Sequence, residues 1–141
     1  MAITRTQTQI QWSAYDSITI SSATRTFSDA FTLDDTAVLL GIQLSADNQG
    51  TPADGDTAKF YIAWSTGDIL GDAGDDYDTD EHVQFIGTLD TYSTNTPGED
   101  PARKTIEVPI AAKKFKIGVE CANAATRNIV VRSRADEQRA A

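Results

Sequence analysis

Val38-Leu39-Leu40-Gly41-Ile42-Gln43-Leu44 places a large apolar side chain at alternate positions, and the same rhythm recurs elsewhere in the chain. Phe60-Tyr61-Ile62-Ala63-Trp64, Ile106-Glu107-Val108-Pro109-Ile110 and Phe115-Lys116-Ile117-Gly118-Val119 repeat it. A period of two puts one face of an extended strand in a core and the other in water, whereas a helix would repeat its apolar residues every three to four. No apolar stretch has the length and spacing of a core helix. The chain is therefore expected to be all-β, with Val38, Leu40, Ile42, Phe60, Ile62, Trp64, Phe115 and Ile117 sealed between two sheets.

Working outward from those segments, turn-forming clusters divide the rest into short strands. Asp47-Asn48-Gln49-Gly50-Thr51-Pro52-Ala53-Asp54-Gly55-Asp56 separates the strand Ala37–Ala46 from Thr57–Trp64. A long acidic segment, Ser65 to Glu81, leads to a strand at His82–Leu89, and a loop from Thr91 to Ala102 precedes Lys104–Ile110. Lys114–Cys121 and a last strand, Arg127–Arg132, complete the series, with Ile18-Thr19-Ile20 and the region of Phe27, Phe31 and Leu33 supplying shorter pieces. Eight or nine strands at this spacing predict one two-sheet antiparallel β-sandwich over residues 1–141, of jelly-roll or Greek-key type, with an immunoglobulin-like pairing order as the open alternative. A domain of this size buries roughly 70% of its unfolded surface, enough for one core without disulfides.

Both termini are polar and extended. In Thr4–Trp12, residues Thr6, Thr8, Ile10 and Trp12 share one face and Gln7, Gln9 and Gln11 the other. Such a segment is either an edge strand or an arm that completes its pairing on another molecule. Residues 1–12 and 134–141 are accordingly candidate arms, with Ile3, Thr6, Thr8, Ile10, Trp12, Arg132, Arg134 and Arg139 as candidate partner contacts. The tail from Arg134 is compatible with helical, extended or disordered states until it meets a partner.

The formal charge is −9 and is unevenly spread. Residues 60–102 hold ten carboxylates and no lysine or arginine, whereas residues 103–141 hold nine basic side chains against four acidic ones. An acidic total argues against nucleic-acid or anionic-membrane binding, which need a dominant basic surface. No apolar run is long enough to cross a bilayer as a helix, and the N-terminus lacks the apolar core of a secretory signal, so synthesis in a cytoplasm is expected. The single cysteine, Cys121, cannot form an intramolecular bridge.

Catalytic chemistry has little to build from. His82 is the one histidine, and alternation sets it opposite Val83 and Phe85, facing water. Cys121 continues the inward series Phe115, Ile117, Val119 and reads as a small buried apolar residue. No enzyme activity and no cofactor are expected. Asp76-Tyr77-Asp78-Thr79-Asp80 copies the first half of an EF-hand loop, which makes Asp76, Asp78 and Asp80 the nearest approach to a metal site. The pattern then breaks, since Glu81 stands where the sharp-turn glycine belongs and Gly87 where the closing glutamate belongs. A solvated loop accounts for it. Trp12, Tyr15, Trp64, Tyr77 and Tyr92 could form a sugar-stacking platform, although the register of Trp64 with Phe60 and Ile62 favours the core.

Three segments together, Ala37–Asp47, Phe60–Asp68 and Asn95–Lys104, resemble small structural proteins of tailed bacteriophages, in particular the capsid decoration or cement proteins with a jelly-roll-like fold. The likeness runs from about Val38 to Val131 and lies in overall pattern. It implies a virion protein on the outer capsid surface that binds the major capsid protein, bridges its subunits, stabilises the shell and forms homo-dimers or homo-trimers. The alternatives are a virion β-sandwich that binds glycans or a receptor, and a tail or neck component.

Overall fold

A computed structural model describes residues 2–20, 24–49, 56–79, 83–91, 102–122 and 128–140. Eleven strands are present: β1 (Ile3–Gln9), β2 (Ile18–Ile20), β3 (Thr26–Phe27), β4 (Phe31–Thr32), β5 (Ala37–Asn48), β6 (Thr57–Gly67), β7 (Asp76–Tyr77), β8 (Gln84–Asp90), β9 (Ala102–Val108), β10 (Lys114–Ala122) and β11 (Ile129–Ala140). All pairings are antiparallel, and no described residue is helical.

The first sheet has the order β1-β11-β5-β9, with β2 continuing the flank of β11 that β1 occupies. The second has the order β3-β10-β6-β7, with β4 beside β3 on β10 and β8 beside β7 on β6. Counting each such pair as one interrupted strand leaves eight. The first then pairs with the eighth, the second with the seventh, the third with the sixth and the fourth with the fifth. This is the winding of a jelly roll, a long hairpin rolled into two packed sheets.

The alternation that marked the strands also builds the core. Leu40, Ile42, Leu44 and Ala46 of β5 face Phe60, Ile62 and Trp64 of β6 and Phe115, Ile117, Val119 and Cys121 of β10, all buried. Phe115 is the hub, edge-on to Trp64 at 5.4 Å and tilted against Phe31 at 5.3 Å. Gly87 closes one corner, because a Cβ there would sit 2.8 Å from Cδ1 of Ile106, so the missing side chain lets β8 approach β9.

Val38, expected inside, is half exposed. Gln138 pairs with Leu39 and Arg139 with Ala37, so Val38 is the extra residue of a β-bulge and leaves the alternation. A larger correction concerns the termini. They are not free arms, because β1 pairs with β11 from Ile3↔Ala140 to Gln9↔Arg134 within one chain. Of the two readings of Thr4–Trp12, the edge strand holds. The last strand does not stop at Arg132 either. It continues to Ala140 between β1 and β5, which makes the polar tail an interior strand of the first sheet. Ile10 and Trp12, expected at a partner, lie in the core, 0% and 2% exposed.

Buried polar knots close the two ends of the sandwich. At one end Glu137, fully buried, accepts hydrogen bonds from the Asp34 amide at 2.9 Å and from Nη2 of Arg139 at 2.7 Å. At the other, Asn48 Nδ2 donates to Asp56 Oδ2 at 3.1 Å and Thr91 Oγ1 donates to the Asp56 carbonyl at 3.1 Å.

Candidate interaction surfaces

With the core accounted for, the groups left to act are on the two outer faces and the acidic loop. On the outer face of the first sheet, register sets two transverse rows side by side: Gln9, Arg134, Gln43 and Thr105, then Arg132, Ser45 and Arg103. Between them lies a groove of about 290 Å³. Nε of Arg134 is held by the neutral amide oxygen of Gln43 at 2.6 Å. Arg132 makes no ion pair among the described residues. Two of the candidate contacts read from sequence, Arg132 and Arg134, are thus brought together. Arg103 was missed, since β9 reaches this groove by pairing with β5, a relation no local pattern announces.

The other candidates disperse. Ile3 on β1, 53% exposed, and Leu39 on β5, 45% exposed, lie toward the opposite end of the same face, on either side of β11. Thr6 and Thr8 lie on the edge strand β1, opposite Glu137 and Ala135. Arg139 turns to the inner face, pairs with Glu137 and sits 3.9 Å from Asp34 Oδ2. Between the groove and the end of the face that carries Ile3 and Leu39, Arg5 grips Asp136 with Nε 2.9 Å from both carboxylate oxygens. That grip holds the Asp136 carboxyl below its ordinary range, hydrogen bonding by Arg5 outweighing the opposing effect of burial.

The outer face of the second sheet carries a row that sequence reading missed: Phe27, Gly118, Tyr61 and Phe85 stand in register across β3, β10, β6 and β8. The Phe27 ring covers Gly118 so closely that a Cβ there would meet it at 2.7 Å. Tyr61 and Phe85 contact edge to face at 5.6 Å, and the Arg25 guanidinium lies 3.9 Å over the Tyr61 ring. Burial, reinforced by the hydrogen bond from its hydroxyl to Glu120, raises the Tyr61 pKa. Of the expected sugar platform, Trp12 and Trp64 are buried, Tyr15 is exposed, and Tyr77 lies under the Lys116 ammonium at 4.7 Å. Tyr92 lies outside the described residues, as does His82.

The acidic loop between β6 and β7 is organised by its own carboxylates. Asp68 accepts from the amides of Asp72 at 2.9 Å and Ala73 at 3.1 Å, and Asp76 accepts from the Leu70 amide at 2.9 Å. Carboxylate oxygens of Asp68, Asp72 and Asp76 come within 4.8 Å of one another and are the described groups that could share a hard cation. Three such ligands fall short of the six to eight oxygens Ca²⁺ prefers. Of the trio read from sequence, Asp76 belongs to this group, Asp78 accepts from the Trp64 amide at 2.5 Å, and Asp80 lies outside the described residues. Cys121 is buried, and desolvation pushes its thiol up to about 12, which keeps it protonated and unreactive at neutral pH.

No family model matches the chain, and no curated protein matches it either. Among solved structures, the chain is similar to dimeric latent PorU from Porphyromonas gingivalis, with a TM-score of 0.54 and 10% identity. That match covers 97% of this chain and 13% of the other, so it concerns one β-rich portion of a much longer protein. At that identity the likeness shows the fold alone.

Proposed function

We propose that this chain is a virion structural protein that decorates an icosahedral phage capsid and stabilises it by bridging major capsid protein subunits. The observation that carries the reading is the layout of the first sheet's outer face, with a polar arginine groove at one end and exposed Ile3 and Leu39 at the other. A broad, rigid sheet face with separate apolar and charged ends suits docking across two neighbouring subunits. Jelly rolls serve as capsid and lectin domains, and the resemblance to decoration proteins selects the former. Many modest contacts repeated over a shell add up by multivalency.

The test is co-sedimentation of the purified chain with shells that lack it. Saturable binding is expected, and Ile3→Asp with Leu39→Asp should weaken it at least tenfold while the fold is retained. Absence of binding to shells at every concentration would overturn the reading. A second reading, a glycan-binding module, draws on the Phe27, Tyr61 and Phe85 row. It predicts saturable binding on a glycan array that is lost in Tyr61→Ala and Phe85→Ala, and a silent array discards it.

A further inference from the structure

We propose that the arginine groove on the first sheet receives the acidic loop of a second copy of this chain, giving a head-to-tail contact. This deepens the self-association contained in the reading above by naming both surfaces. Two unmatched features of opposite sign motivate it. In the groove, Arg132 has no ionic partner among the described residues and Arg134 is held by a neutral amide. In a chain with a formal charge of −9, the Arg132 guanidinium, which makes no ion pair among the described residues, and the Arg134 guanidinium beside it are open to an anion from elsewhere.

The acidic loop supplies such an anion already shaped. Asp68 and Asp76 are engaged in bracing the backbone, while the Asp72 carboxylate accepts no hydrogen bond among the described residues. A braced loop loses little conformational freedom on docking, so more of the contact energy appears as affinity. Beside the carboxylates, Ile69 and Leu70 are 72% and 74% exposed. An acidic tip with an apolar pair matches a groove in which guanidinium groups can take carboxylates in bidentate fashion and the walls can cover the aliphatic side chains.

Groove and loop belong to different sheets, so the contact joins unlike surfaces of two copies. Heterologous contacts of this kind build rings or open chains, not closed two-fold pairs.

Sedimentation velocity on the full chain tests this without any shell, so its outcome is separate from that of capsid binding. The wild type should self-associate, and the association should weaken at least tenfold between about 0.05 M and about 0.5 M salt. Arg132→Glu with Arg134→Glu should be monomeric, and so should Leu70→Ser with Asp72→Asn, each folded by circular dichroism. Mixed in equal amounts, the two variants should form a dimer that grows no further, because one contributes an intact loop and the other an intact groove. A monomeric wild type, a mixture that stays monomeric, or self-association that survives both pairs of substitutions would overturn the proposal. Capture of heparin by the groove with no self-association would assign it to a different anion and would overturn the proposal as well.

Discussion

The C-terminal strand from Arg132 to Ala140 and the acidic loop from Asp68 to Asp76 are both rich in charge, yet one is an interior strand and the other is solvated. What separates them is the destination of the backbone hydrogen bonds. Every residue from Arg134 to Gln138 has a partner on each side, in β1 and in β5. The loop instead turns on Gly67 and Gly71, both at positive φ, and satisfies its amides with its own carboxylates. The carboxylates of the strand have named partners, Arg5 for Asp136 and Arg139 for Glu137, whereas the Asp72 carboxylate in the loop has none among the described residues. Polarity alone therefore does not mark a free segment. An extended run is interior when two neighbours complete its ladder and its buried charges find counter-charges.

The sharpest way to break this contrast is deletion. Removing residues 134–141 takes away half of an interior strand, and no cooperative thermal transition should remain. Replacing Ile69 to Gly74 with a short glycine-serine link should leave the transition in place. A folded product from the first deletion would restore the arm model.

Single side chains should sharpen the same difference. Glu137→Ala strips the partly buried Arg139 and the Asp34 amide of their buried acceptor and should cost about 3 kcal/mol in urea unfolding. Asp68→Ala releases two exposed amides to water and should cost at most about 1 kcal/mol. Comparable losses at the two positions would contradict the assignment of one to the interior and the other to the surface.

Acidity should act on the strand pair through Asp136. Its carboxyl titrates lower in the folded chain than the roughly 3.9 of an unfolded aspartate. Its contribution is therefore complete above the unfolded value and is lost as pH falls through the lowered one. Urea midpoints should fall between about pH 5 and about pH 2, and Arg5→Gln should flatten part of that fall. An unchanged pH profile in Arg5→Gln would remove the ion pair from the account. The smallest effect is expected at Ala73, which sits at φ 68 in the loop. Ala73→Gly relieves left-handed strain but adds freedom to the unfolded chain, so stability should change by no more than about 0.5 kcal/mol.

Much of the sandwich was legible because its inward residues are large and apolar: β5, β6 and β10 announce themselves through Leu40, Ile42, Phe60, Ile62, Phe115 and Ile117. β11 was not, because beyond Val131 its inward positions are Ser133, Ala135, Glu137 and Arg139, which close one end of the sandwich with hydrogen bonds and a salt bridge. A signal was nonetheless present. No glycine, proline or asparagine interrupts Ile129 to Ala140, so nothing in that run asks the chain to turn. The groove was half legible, through Arg132 and Arg134. Its other wall depends on the β5–β9 register, and the aromatic row likewise depends on four strands meeting, so neither could be seen along the chain. The bulge at Val38 was invisible for the same reason, since it exists only in the pairing with β11.

Native-state amide hydrogen exchange tests the placement of the C-terminal strand most directly. Amides from Val131 to Glu137 should belong to the slowest-exchanging class, with those of β5, while the amides of Asp72 and Ala73 exchange early. C-terminal amides that exchange as freely as those of the acidic loop would contradict it.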